Sequence, residues 1–361
     1  MPARLDYILL FSTLILCLIG VIVLHSINVR DPSLLQGFNP SWQLIALLIG
    51  SIGLILFMRM DYHILARIAP LWYGVGVLLL VLVLFFGEAV SGSTRALSFG
   101  VVEFQPAEIA KMGMILLLAS YYNKNSNKLH KLNTLFISMI ITAAVVILVF
   151  LQPDLGTAIV LLIIWAMISF MAGIRRSFLV GLALIGLIAL PVAIQVLEPY
   201  QQARLETFFD PTADSQGQGY NVDQSMIAIG SGQLFGRGLG GGTQSTLNFL
   251  PSQHTDFIFA VIAEKLGLIG ASSVLILFGL LLWRGFVIAW RARDSFGALL
   301  ASGITTMFLV QIVITIGMNL GIAPVTGLPL PFLAYGGTNL IISLLAVGIL
   351  LNISKNSLSN A

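Results

Sequence analysis

The chain has 361 residues, of which 58% are hydrophobic and 9% charged, with 18 Lys and Arg against 15 Asp and Glu. Soluble domains carry roughly 25% charged residues, so this composition excludes an ordinary soluble protein and points to a chain that crosses a membrane many times. The net charge of +3 belongs to basic residues flanking apolar runs and carries no signal for a nucleic-acid partner, and the one cysteine, Cys17, excludes an internal disulfide framework.

A membrane span needs about 20 apolar residues. The hydropathy pattern predicts about ten, over 7–27, 42–58, 69–86, 106–122, 133–151, 156–173, 178–197, 257–283, 298–320 and 335–353. The expected fold is therefore all-α, a single polytopic membrane domain over 1–361. The first run lacks a small-residue cleavage site and reads as a retained helix that directs insertion. The long eighth run reads either as one span or as a half-helix at 257–266 followed by a shorter span. Most Lys and Arg, among them Arg59, Arg67, Lys124, Lys128, Arg175 and Arg176, fall in alternate connections. By the positive-inside rule those connections and both termini are cytoplasmic. Of the acidic residues only Asp6, Asp61 and Asp294 share that side, so the ionisable groups crowd towards the external one.

Within the first external connections, Arg95 in SGSTRALSFG reads either as a solvated loop arginine or as an anion contact. Arginine suits phosphate because its planar fork meets two oxygens at once. The stretch 104–111, FQPAEIAK, opens the fourth span. Pro106 suits the first helical position and Glu108 the positive end of the helix dipole. Lys111 lies three residues on, on the same helix face. A Glu–Lys pair at this depth is expected to face the bundle interior or a cavity. Asp154 in QPDLGTA reads equally as a cap of the sixth span and as a site residue.

One external segment, 198–256 between the seventh and eighth spans, is far longer than the rest. Long loops between packed helices are functional or disordered. Apolar stretches at 226–229 and 247–250 favour a folded loop on the membrane surface. Its glycine-rich part, GSGQLFGRGLGGG at 230–242, follows no strand and meets neither nucleotide-loop spacing, so it reads as a tight, close-packed loop. Arg237 within it remains able to reach a phosphate.

Asp256 ends this loop, preceded by His254 and Thr255, where the chain enters the eighth span. Asp256 or Thr255 suits the N-cap of that helix. A carboxylate at the mouth of a membrane helix is also costly unless used, and the two roles are compatible. Glu264 and Lys265 follow about two turns inside. His254 reads as a solvated loop histidine. At 321–337, Pro324, Pro329 and Pro331 exclude a continuous helix and predict a broken or re-entrant segment packed against protein. No metal cluster and no Ser–His–Asp pattern is visible.

Taken in order, QPAEIAK, LQPDLGTA, GSGQLFGRGLGGGTQ, LPSQHTDFIFAVIAEKLG and PVTGLPLPFLAYGG resemble the signatures of the SEDS (shape, elongation, division and sporulation) family of bacterial cell-wall proteins. The chain departs from the family pattern at Ala96, at Ala334 and Thr338, and at Lys265. Its short termini and VTGLPLPF resemble the elongation branch more than the division branch. The resemblance implies a peptidoglycan glycosyltransferase of the bacterial inner (plasma) membrane. Such an enzyme polymerises lipid II, an undecaprenyl-pyrophosphate-linked disaccharide peptide, into β-1,4 glycan strands beside a class B penicillin-binding protein. It places the essential carboxylate on Asp256, a charged pair on Glu108 and Lys111, and a loop arginine on Arg95. Asp256 would then be the general base of an inverting transfer. Arg95, Lys111 and Arg237 would face the pyrophosphate, with Asp154, Thr255 and Glu264 also assigned to substrate binding. The resemblance allows a divalent cation, Mg or Mn, there, although the sequence supplies no dedicated cage. The alternatives are a lipid II transporter and a scaffold that only activates its partner.

Overall fold

In the computed structural model the chain is described over residues 5–28, 40–90, 93–99, 102–210, 217–247 and 249–357. Helices α1 (Tyr7–Asn28), α2 (Pro40–Arg59) and α3 (His63–Phe86) come first. A short antiparallel meander follows, β1 (Glu88–Val90), β2 (Ser93–Phe99) and β3 (Val102–Phe104). Then come α4 (Pro106–Lys124), α5 (Leu132–Leu151), α6 (Leu155–Ala172) and α7 (Arg176–Val196). The long loop folds into α8 (Pro199–Phe209), α9 (Gln218–Ser231) and α10 (Thr243–Thr246). The chain ends with α11 (Ile258–Trp290), α12 (Ser295–Asn319) and α13 (Gly337–Ser357). The meander is a feature that the hydropathy pattern did not announce, because β1 and β3 have only three residues each and β2, STRALSF, does not alternate apolar with polar.

Among the described residues eight helices, α1, α2, α3, α5, α6, α11, α12 and α13, are long and apolar enough to cross a membrane. The expected fourth and seventh spans are helices outside that set. Glu108 and Lys111 lower the apolar character of α4, and α7 is apolar over Arg176–Ala189, with Pro191 further on. The eighth run takes the broken form. Gly267 has φ 68° and ψ −168°, which splits α11 into a half-helix at 258–266 and a longer part.

The described chain ends lie on one face. Asp6 there receives two-pronged bonds from Arg284, at 2.9 Å from Nε and 2.6 Å from Nη2. Tyr62 donates to Asp294 on the same face, at 2.8 Å. We call this the terminal face and the opposite one, which carries α8 to α10, the loop face. Helices α4, α12 and α13 form the buried centre. Small residues let them pack closely, as membrane bundles require when apolar burial gives no preference over lipid. A Cβ at Gly76 would lie 2.8 Å from the Ala110 backbone, and one at Gly348 2.6 Å from the Leu54 carbonyl. The outer helices turn Leu, Ile and Phe outward, as at Leu48, Leu71, Phe136 and Ile188.

Candidate active site

Asp256 sits at the loop face immediately before α11, half-buried. It does not cap that helix. The N-cap is Phe257, which offers no side-chain bond, and Thr255 turns its hydroxyl back to the Ser252 carbonyl at 3.3 Å. The cap comes instead from the far end of α12. The fully buried Asn319 side chain accepts from Ala260 N at 3.1 Å and donates to the Asp256 carbonyl at 2.9 Å. The Asp256 carboxylate is thereby left without a hydrogen bond or ion pair to any described residue. Asn319 is the residue that sequence reasoning missed, because its partners are 59 and 63 positions away.

His254 is not a solvated loop histidine. Its ring packs edge-on to Tyr335 with centroids 5.9 Å apart, and its carbonyl accepts from Tyr335 N at 2.8 Å. Burial holds its imidazole below the ordinary 6.5, against the opposing pull of the Asp256 charge. A neutral His254 beside Asp256 leaves that carboxylate as the negative group of this corner.

The glycine-rich stretch is a backbone graft onto the break in α11. A broken helix exposes amides on one side and carbonyls on the other. Here Arg237 N donates to the Glu264 carbonyl at 2.9 Å and Gly238 N to the Lys265 carbonyl at 3.0 Å. In return Leu268 N donates to Gln233 O at 2.8 Å and Ile269 N to Leu234 O at 3.2 Å. Such contact leaves no room for side chains: a Cβ at Gly236 would lie 2.1 Å from the Lys265 carbonyl oxygen, and one at Gly232 2.0 Å from that of Ala263. The loop glycines serve close approach of backbone to backbone.

Two predicted substrate contacts have structural partners that use their oxygens. Glu264 is fully buried, and its two oxygens accept from Gln244 N at 2.9 Å and Ser245 N at 3.0 Å, so it holds α10 against α11. Asp154 caps α6 through both oxygens, to Thr157 N at 3.0 Å and Thr157 Oγ1 at 2.8 Å. Lys265, where the family pattern differs, bonds Ser26 Oγ and the Leu239 carbonyl, each at 2.9 Å, and so ties α1 to the graft.

The Glu108–Lys111 pair, 2.8 Å apart, is closed inside the bundle, with side-chain exposures of 3% and 0%. This is the bundle-interior alternative, and it keeps the Lys111 ammonium from the loop-face surface. Arg237 is exposed, with Nε donating to the Ser231 carbonyl at 2.8 Å. Arg95 falls in β2, and its side chain lies outside the described residues.

The broken segment after α12 joins these parts. Gln43 of α2 holds it, donating to the Ala334 carbonyl and accepting from Gly336 N, both at 3.2 Å. Gly156 at the start of α6 packs against Thr326, and Gln105 N, before α4, donates to Thr338 Oγ1 of α13 at 3.2 Å. The starts of α4, α6, α11 and α13 thus converge on the loop face, and their dipoles give that face a positive character. An available carboxylate beside positive helix ends can take a proton from a hydroxyl and stabilise an anionic leaving group. Among the described residues no three His, Cys, Asp or Glu side chains come together. The donor set of the described residues does not fit a protein-built cage for Mg or Mn.

Fold and site define a polytopic helical membrane protein with an available carboxylate at one face. The chain belongs to the FtsW/RodA/SpoVE family of cell cycle proteins, whose model matches residues 7–359. It is 37% identical to stage V sporulation protein E of Bacillus subtilis, over 98% of this chain and 97% of that protein. It is also 37% identical to peptidoglycan glycosyltransferase MrdB of Escherichia coli K12, over 97% and 93% of the two chains. Among solved structures it resembles a chain of a peptidoglycan synthase complex, with a TM-score of 0.83 and 32% identity over 99% of both chains. The rod shape determining protein RodA of Thermus thermophilus follows, with a TM-score of 0.73 and 30% identity over 99% of both.

Proposed function

We propose that this protein is a membrane-embedded peptidoglycan glycosyltransferase that polymerises lipid II into β-1,4 glycan strands, with Asp256 as general base. One observation carries the assignment of the base: Asn319 caps α11, which leaves the Asp256 carboxylate free at the loop face. Relatives named for this activity align along nearly the whole chain.

Asp256 takes the proton of the acceptor 4-hydroxyl as its oxygen attacks the anomeric carbon of the donor sugar. The bond from that carbon to the undecaprenyl pyrophosphate breaks on the opposite side, so configuration inverts. Charge grows on the departing pyrophosphate, where positive helix ends and the exposed Arg237 favour it. Arg95 is assigned to the same anion. The buried Lys111 ammonium stabilises Glu108 and acts on the architecture of α4. The polyprenyl tails lie along the apolar outer surface of the bundle.

We place the enzyme in the inner (plasma) membrane, loop face outward, beside a class B penicillin-binding protein that cross-links the product. We assign it to the elongation (RodA) branch on the resemblance of VTGLPLPF. The test is lipid II polymerisation in detergent, comparing the wild type, alone and with its cognate synthase, with Asp256→Asn. Glycan from the wild type and none from a folded Asn variant is the expected result. Polymer from both would remove Asp256 as the base. No polymer from either, with the synthase present, would favour a lipid II transporter.

A further inference from the structure

A base works only if it is held where the proton will be, and Asp256 has no side-chain tether of its own. We infer that Asn319 is the positioning residue for Asp256, an inference that rests on the general-base reading above. The Asn319 side chain is fully buried and uses both amide hydrogens: one on the Asp256 carbonyl at 2.9 Å, the other on the Thr315 carbonyl at 2.8 Å. Its oxygen takes the Ala260 amide at 3.1 Å. The partners fix which end is which, because a flipped amide would set its oxygen against two carbonyls and its NH2 against an N–H. The bonds to Asp256 and Ala260 bracket the first turn of α11, so one side chain sets both the height and the rotation of the residue that carries the base. Asn319 is itself held from outside. Ser225 of α9 donates through Oγ to its carbonyl at 2.8 Å, so the folded loop and the base share one node.

A purely architectural role would make Asn319 equivalent to any other buried helix-joining asparagine. The terminal face supplies the comparison. Asn352 of α13, also buried, donates to the Phe57 carbonyl at 2.6 Å and to the Met60 carbonyl, far from Asp256.

The experiment compares Asn319→Ala, the isosteric Asn319→Asp, Asn352→Ala and wild type in three readouts: melting temperature, kcat and KM for lipid II with the cognate synthase bound, and amide exchange across 256–261. Both alanine variants are expected to melt lower by similar amounts. Only the Asn319 variants are expected to lose kcat, at least tenfold with KM within about twofold, and to speed exchange at 258–261 at least tenfold. Asn319→Asp decides if the alanine variant does not fold, since it keeps the volume and one acceptor but loses the amide donors. A folded Asn319 variant with wild-type kcat and wild-type exchange overturns the proposal. Equal losses of kcat in Asn319→Ala and Asn352→Ala overturn it too. A wild type that makes no glycan refutes the transferase reading instead, and amide exchange then still decides whether Asn319 fixes the first turn of α11.

Discussion

Gly236→Ala is the sharpest probe of how the loop face is assembled. Gly236 has φ +80°, where an alanine is strained by about 1–2 kcal/mol. Its new Cβ would also lie 2.1 Å from the Lys265 carbonyl oxygen and 2.7 Å from Gly267 N, both backbone atoms with no rotamer to yield. The loop must lift from the break in α11. The bonds at risk are those of Arg237 N, Gly238 N, Leu268 N and Ile269 N to their partners across the break. At about 1 kcal/mol each, their loss and the strain together come to about 5 kcal/mol. Two neighbouring glycines calibrate the estimate. Gly238, at φ +82° with open space around its Cβ position, should cost only the strain, about 1–2 kcal/mol. Gly230, in α9 with nothing within reach, should tolerate alanine without loss. Thermal melting in detergent, read by loss of the monodisperse peak, ranks the three. At roughly 2 °C per kcal/mol, Gly236→Ala should melt about 10 °C lower. A Gly236→Ala protein that melts with the wild type, or no lower than Gly238→Ala, refutes the graft.

Glu264→Gln should cost about 1–3 kcal/mol, because an amide NH2 would replace one of the oxygens that accept from Gln244 N and Ser245 N. Melting should fall, and an unchanged kcat per folded molecule checks that Glu264 is not part of the chemistry. Lys111→Met should cost about 3–5 kcal/mol by leaving a buried Glu108 charge unpaired, and adding Glu108→Gln should recover much of it, as a double-mutant cycle of melting temperatures measures. His254 makes stability pH-dependent. Its imidazole is held below 6.5 in the folded protein, so the unfolded chain binds the extra proton first as pH falls. The stabilisation is present above pH 6.5 and is lost on acidification through the folded value. A melting curve from pH 7.5 to 5 should therefore flatten in His254→Gln, and an identical slope would count against that burial.

Much of the architecture is local in origin and so readable along the chain. The long apolar runs mark the membrane helices, the three prolines of 321–337 forbid a helix there, and the length of the eighth run leaves open the half-helix reading that the break at Gly267 decides. Asp256 stands out because a carboxylate at a membrane helix mouth is costly without a use. The meander escapes a reading by period, because two of its strands have three residues each and STRALSF of β2 does not alternate apolar with polar. Arg95, in that meander, keeps the role assigned by resemblance alone.

What tertiary structure decided is which polar groups are already occupied. Sequence rules name Asp256 and Thr255 as good N-caps, yet Asn319, 59 residues from Ala260, supplies the bond and frees the carboxylate. Glu264, assigned by resemblance to substrate binding, has both its oxygens on Gln244 N and Ser245 N, contacts that the sequence does not show. The glycines of 230–242 signal closeness to something, and only the folded chain shows that it is the backbone of α11. The physical reason is the same each time. Hydropathy and helix-start preferences act over a few residues and are written into the sequence, whereas hydrogen-bond satisfaction in a buried site is settled by whichever donor packing brings within about 3 Å, however distant in the chain.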